Sequence, residues 1–283
     1  MSSRDQAGIV HTAPFVSWEE SLGPLLAASG LADRLPGPER SILIKPNLVE
    51  ALPPPITTPA PLVAALVAWL REHTAARIII GEGSGAMDYE TDHAFAALGY
   101  TALARKQGVD LADLNHEESV CLRNADCRRW QEMHLPRIAL DSFLISVPVL
   151  KAHSLAGVTL TMKNMMGLAP PAHYRSGRSW KKSAFHRQIQ AAIADLNRYR
   201  APDFTLLDAT VGMAKAHLWG PVCDPPVNIL AAAFDPVAID AYGATLLNRD
   251  WREIGHIRTL HNELGLAEPL RLILSASEPG LPR

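Results

Sequence analysis

The chain has 283 residues, 48% hydrophobic and 20% charged, with a formal net charge of −2. That excludes a disordered chain, allows a sizeable core in one or two domains, and leaves no whole-molecule charge to hold nucleic acid or an anionic membrane. Three scattered cysteines (Cys121, Cys127, Cys223), a polar start over 1–9 and no apolar run of ~18 residues point to a reduced, cytoplasmic protein without a disulfide framework, signal peptide or membrane span.

In chain order, apolar runs at 41–44, 77–80, 143–149, 204–207, 228–233 and 270–274 are short, β-branched and poorly alternating, as in strands buried on both faces. Residues 51–61 hold five prolines and read as a shaped loop. Helical spacing follows at 61–73, where Leu62, Leu66 and Leu70 share one face behind Pro59, and at 184–200, where Ile189, Ala192, Ile193 and Leu196 form a stripe. Segments 236–247 and 251–264 also read as helices, the second stopping at Gly265. No internal repeat is visible. Strand–helix alternation predicts an α/β fold: a Rossmann-like, mostly parallel central sheet flanked by helices, with a ligand cleft at the strand carboxyl ends. One domain over 1–283 is expected; lobes at about 1–140 and 141–283 are the alternative.

The predicted strands end in polar groups. The first ends in Lys45-Pro46-Asn47 and the second in Gly81-Glu82-Gly83-Ser84-Gly85. The run through 149 leads to Lys151 and His153, 204–207 to Asp208, and 228–233 to Asp235-Pro236. Aspartates in such places usually cap helices or turns, Asp235 above all. The chain uses 20 arginines but only 7 lysines, and Lys45, Lys151 and Lys163 all adjoin apolar segments. A compact ammonium with a tunable pKa binds anions or moves protons in ways a guanidinium does not. Residues 142–194 contain no Asp or Glu and carry a charge of +7, against −9 for the rest. Such focusing attracts anions. A small carboxylate, phosphate or anionic cofactor is the favoured partner, because the remaining chain would repel a long polyanion. RNA is the rival, with Tyr174, Trp180 and Phe185 available to stack on bases.

Gly81-x-Gly83-x-x-Ala86 is a loose form of the dinucleotide fingerprint, and no helix clearly opens at its third position. Glu82 reads instead as a site carboxylate, a base or a lysine partner. His153, His173 and His186 are candidate metal ligands but lack zinc-type spacing; Cys121 and Cys127 beside His116 and His134 are a thinner set. Serine-hydrolase and P-loop motifs are absent.

Several strings occur in a fixed order: Ile44-Lys45-Pro46-Asn47-Leu48, Thr57-Thr58-Pro59, Ile80-Gly81-Glu82-Gly83, Val147-Pro148-Val149-Leu150-Lys151-Ala152-His153, Thr161-Met162-Lys163-Asn164-Met165-Met166-Gly167, Leu207-Asp208-Ala209 and Asp235-Pro236. Together they resemble the bacterial and archaeal family named only as domain of unknown function 362, from about residue 42 to about 266. Many such relatives append a cysteine-rich ferredoxin-like module, which implies electron transfer and a redox partner; these 283 residues hold no such stretch. More distantly, His153-x₃-Gly157-x₅-Lys163 is similar to a segment of the cofactor-binding domain of the nickel-pincer lactate racemase family. That resemblance implies a cofactor-contacting amine at Lys163 and proton transfer at His153. The glycine pair before the family's lysine is Thr161-Met162 here, so a nickel-pincer cofactor stands as an open alternative rather than as something the resemblance carries over.

The expected function is binding of a small anionic substrate or cofactor in a basic cleft, with a redox or proton/hydride-transfer reaction of oxidoreductase or isomerase type. Lys45, Lys151 and Lys163 bind carboxylate or phosphate, His153 is the acid/base, Glu82 orients or accepts a proton, and Asn47 and Asn164 hydrogen-bond ligand oxygens. His186 and Asp208 complete the binding set. A metal or an anionic organic cofactor is compatible with this set. The alternatives are a noncatalytic carrier or chaperone for a metal or organic cofactor, and an RNA-binding module. Trp219 and Trp251 suit a homodimer interface as well as a core.

Overall fold

The computed structural model describes residues 6–215 and 217–275. Its strands are β1 (Ile9–Pro14), β2 (Ile42–Pro46), β3 (Ile78–Glu82), β4 (Asp110–Asp113), β5 (Ser119–Arg123), β6 (Glu132–Pro136), β7 (Phe143–Val147), β8 (Val149–His153), β9 (Gly157–Thr159), β10 (Phe204–Met213), β11 (Ile229–Ala233) and β12 (Arg271–Leu274). The helices are α1 (Trp18–Ser29), α2 (Ala60–His73), α3 (Thr91–Ala97), α4 (Tyr100–Gln107), α5 (Arg137–Asp141), α6 (Thr161–Asn164), α7 (Pro171–Tyr174), α8 (Ile189–Tyr199), α9 (Pro236–Leu246) and α10 (Gly255–Leu260).

The main sheet runs β12-β1-β11-β10-β7-β2-β3-β4, with β8 added to β10 and β9 to β8. The β10-β7-β2-β3-β4 block is parallel throughout. Successive strand residues face opposite sides, and both sides are buried. Leu43, Ile79, Leu144 and Leu207 enter one core; Ile42, Ile44, Ile78, Ile80, Phe143, Ile145 and Leu206 enter the other. Helices α1 and α2 cover the second core through Leu22, Leu25, Leu62 and Leu66. Helices α8 and α9 cover the first through Ile189, Ile193, Leu196 and Val237. Two covered faces explain the unbroken apolar runs, and the architecture is the expected α/β one. Strands from both halves of the chain share the one sheet.

Several expectations change, among them the 251–264 helix, which is a 3₁₀ turn at 251–253 followed by α10 alone. The 143–149 run is two strands, because Pro148 lacks an N–H to continue the ladder. β7 ends at Val147, and β8 moves over to the distal part of β10. β10 continues to Met213, so Asp208 lies inside a strand rather than at its end. β11 runs antiparallel to both neighbours, so Asp235 leaves the sheet at the edge opposite the carboxyl ends of β2 and β3. There Asp235 caps α9: Oδ1 accepts the amides of Val237 and Ala238, both at 2.9 Å, and Oδ2 accepts those of Gly8 and Leu266. The 184–200 helix also starts late. Ser183–His186 form a 3₁₀ turn, and Gln188 at φ 58° separates it from α8.

Candidate active site

The parallel block places the carboxyl ends of β2 and β3 side by side, with β8 beyond β7. A cleft of about 710 Å³, some of it open to solvent, lies there. Four lysines line it: Lys45 from β2, Lys151 from β8, Lys163 from α6, and Lys182 from the loop before the 3₁₀ turn. Three histidines join them, His153, His186 and His217.

Lys45 and Glu82 form an ion pair at 2.7 Å, both fully buried. Three of the acceptor positions of Glu82 are taken: Oε1 also accepts the Gly83 amide at 2.8 Å, and Oε2 accepts the Leu48 amide at 2.9 Å. It stands as the partner of a lysine, and the amide bonds compensate its burial. Gly167 crosses directly over the pair; a Cβ there would strike Glu82 Oε1 and sit 2.5 Å from Lys45 Nζ. Gly83 is equally closed, by the Gly167 carbonyl and Lys182. The glycines of the loose fingerprint therefore serve close packing, and no helix opens until α3.

Asn164 is saturated as well. Its Oδ1 accepts from Lys45 Nζ (3.2 Å) and Asn47 Nδ2 (3.0 Å), and its Nδ2 donates to the Lys45 carbonyl and Ser146 Oγ. It positions its neighbours and has no bond left for a ligand. Asn47 Oδ1, by contrast, is buried without a donor. It suits a ligand N–H or O–H. Thr58 holds this loop: its hydroxyl accepts from the Asn47 amide (2.8 Å) and donates to the Val147 carbonyl (2.6 Å).

The other lysines lack carboxylate partners in the cleft. Lys151 Nζ donates to the Ile56 carbonyl at 2.5 Å. Lys182 donates to Asn115 Oδ1 and the Ala169 carbonyl. Lys163, partly buried, makes no hydrogen bond among the described residues. Burial is the first cause of their lowered pKa values, and neighbouring lysines add to it. Lys151 falls well below the usual lysine range, with Lys163 pushing further. Lys163 falls to about 8 through burial and Lys45, and Lys182 to about 7, mainly through burial.

His153 Nδ1 accepts two backbone amides, from Leu155 and Ala156, each at 3.1 Å. A nitrogen that accepts cannot carry the proton, so the ring is neutral with its hydrogen on Nε2. Burial and the Lys163 charge push its pKa to about 2. His217 packs against it, with centroids 4.2 Å apart, and falls to about 4, first through burial. His186 stacks on Trp180 at 4.2 Å, and burial followed by Lys163 lowers it too.

The donor set does not fit a metal. His173 lies away from the cleft, stacked on His134 at 3.7 Å, and His153 has spent one nitrogen on amides. Among the described residues, ligand atoms of three such side chains converge only at Glu90, Asp113 and His116, outside the cleft lining. Cys121 is exposed on β5 while Cys127 is buried against Asp195, so they form no pair of ligands. Tyr174 and Phe185 are core residues, which removes two of the three aromatics available to RNA. Asp208 spends Oδ1 on the Thr210 amide and hydroxyl and does not line the cleft.

Three contributors received no role in the sequence reading. Lys182 lay in the acid-free run but carried no local mark. His217 had no signal. Asp240 on α9 accepts the first two amides of α6, Thr161 at 2.7 Å and Met162 at 3.0 Å, and so holds the turn that bears Lys163 and Asn164.

Among the described residues, no helix is long and apolar enough to cross a membrane. A family profile described as Domain of unknown function (DUF362) matches residues 42–245. No curated protein matches the chain. Among solved structures, the chain is similar to the lactate racemase apoprotein from Thermoanaerobacterium thermosaccharolyticum, at 13% identity and a TM-score of 0.46. The similarity covers 90% of this chain but only 59% of that one.

Proposed function

The chain belongs to the DUF362 family, a domain of unknown function, and from its own side chains we propose that it binds a small, multiply charged carboxylate or phosphate and catalyses proton transfer on it. One observation carries this reading: four lysines line one cleft against two carboxylates, of which Glu82 is already paired with Lys45 and Glu50 makes no ion pair with a cleft lysine among the described residues. Lys151, Lys163 and Lys182 line this cleft with no carboxylate at ion-pair distance among the described residues, an arrangement that a dianion relieves and a neutral ligand does not.

The roles follow from the geometry. Lys151 and Lys182, fixed by carbonyl acceptors, hold the anion. His153 offers a neutral Nε2–H to a carbonyl or carboxylate oxygen, which takes the acid/base role away from it: a group with a pKa near 2 is not a base at neutrality. Proton transfer passes to Lys163, whose pKa near 8 suits it. Asn47 Oδ1 accepts from a ligand hydroxyl or N–H.

Thermal unfolding with malonate, phosphate or pyrophosphate at constant ionic strength tests the reading. The three are expected to raise the melting temperature at millimolar concentration, relative to equal ionic strength of chloride, and Lys151→Met is expected to remove the shift. An identical response to chloride, or an unchanged response in Lys151→Met, overturns it.

A further inference from the structure

Of the four cleft lysines, only Lys163 has no acceptor among the described residues: Lys45 is bound to Glu82, Asn164 and the Pro46 carbonyl, Lys151 to Ile56, and Lys182 to Asn115 and Ala169. Its backbone is nevertheless tightly held. Asp240 accepts the amides of Thr161 and Met162, Asn197 donates to the Met162 carbonyl at 2.9 Å, and the neighbouring Asn164 side chain is saturated. An unbonded amine on an anchored base, inside a cleft crowded with other ammonium groups, has the placement of a nucleophile rather than of a structural charge. Lys151 and Lys182 are tied to carbonyl acceptors, whereas the Lys163 amine is free to reach a ligand. Burial and Lys45 push this one toward the free amine, to about 8.

We propose that Lys163 forms an imine with the carbonyl carbon of a small 2-oxo acid, whose carboxylate is held by Lys151 and Lys182. The proposal rests on the reading of the cleft as an anion site. In the step, the Nζ lone pair adds to the carbonyl carbon and the C=O pair moves to oxygen. That oxygen takes a proton, giving a carbinolamine as nitrogen releases one. A second proton, from the Lys182 ammonium, lets the hydroxyl leave as water while the C=N bond forms. The product is the protonated imine: amine, carbonyl and the Lys182 proton become iminium and water, leaving Lys182 as the free amine, with no oxidant or reductant. The neutral Nε2–H of His153 is available to the developing alkoxide. Once formed, the imine draws electrons from the adjacent carbon, which fits a site built for proton transfer.

Reductive trapping tests this on the full chain. The protein is incubated with pyruvate or glyoxylate and cyanoborohydride at neutral pH, and the adducts are located by peptide mapping. Lys163 is expected to be modified about a hundredfold faster than the exposed Lys106 and Lys215, because burial and Lys45 favour its free amine. Lys163→Arg is expected to lose that rapid adduct while slow surface labelling persists. Equal rates at all three sites, or no adduct on Lys163, overturn the proposal, and the wild-type map decides even if the variant does not fold. Parallel thermal shifts with malonate, which has no ketone or aldehyde, separate the two claims. A malonate shift without a Lys163 adduct removes the imine and leaves the anion cleft standing. Absence of both removes both.

Discussion

Lys151 and Lys45 are both buried ammonium groups, yet their replacements should act in opposite directions. Lys151 has a backbone carbonyl as its hydrogen-bond partner, and the Lys163 charge adds to the effect of burial in lowering its pKa. Lys151→Met keeps the apolar stem and removes the charge, so it should stabilise the ligand-free protein by about 1–3 kcal/mol in urea unfolding while abolishing the anion response. Glu82→Gln leaves Lys45 charged, buried and without its ion-pair partner, and should cost about 3–5 kcal/mol. A destabilised Lys151→Met beside a neutral Glu82→Gln would mean that Lys151, not the Lys45–Glu82 pair, is the structural member. His153 follows the same logic of spent valences: two amides on Nδ1 leave it a hydrogen-bond donor, however suggestive its place in the sequence.

At the scale of elements, α6 is the piece that turns sequence into chemistry. It is too short to be stable alone, and it exists because Asp240, on α9, caps it from across the core. Burial pushes the Asp240 carboxyl up to about 7, and the two amides only partly offset this. A carboxyl whose folded pKa exceeds its unfolded one stabilises most at low pH, and that contribution is lost as pH rises through about 4 to 7. Asp240→Asn should therefore lose its disadvantage relative to wild type across that window, by up to about 1.4 kcal/mol per pH unit. Parallel stability curves for the two proteins between pH 4 and 7 would contradict it. The same element shows what a sequence can and cannot display. Strands β2, β3, β7 and β11 were legible because burial on both faces leaves continuous apolar runs. Lys45, Lys151 and Lys163 were legible because each charge adjoins such a run. Lys182, His217 and Asp240 were not, because their place in the site comes from long returns of the chain. The direction of β11, which sends Asp235 to the far edge, is a property of the assembled sheet. The roles of Asn164 and Glu82 needed a count of every hydrogen bond, which composition and spacing do not contain.

Across the whole molecule, the positive stretch of the sequence is folded partly inward. Lys151, Lys163, Lys181 and Lys182 point into the structure, and Arg175, Arg178 and Arg187 stay exposed. A near-neutral protein thus keeps a concentrated positive potential in one cleft. The lowered pKa values of Lys151, Lys163 and Lys182 carry a global consequence. Between about pH 7 and 10 the unfolded chain holds more protons than the folded one at these lysines, so their effect is to make stability rise with pH, and a bound dianion should flatten that rise. The same linkage requires that anion binding draw protons from solution, because each ammonium regains a counterion. Calorimetric titration of the protein with malonate and with pyrophosphate, in buffers of different ionisation enthalpy near pH 8, measures this directly. The account predicts saturable binding with net uptake of protons, and a smaller uptake in Lys163→Met, where Lys151 and Lys182 alone contribute. Absence of binding heat in every buffer, or binding with no proton exchange, would contradict it.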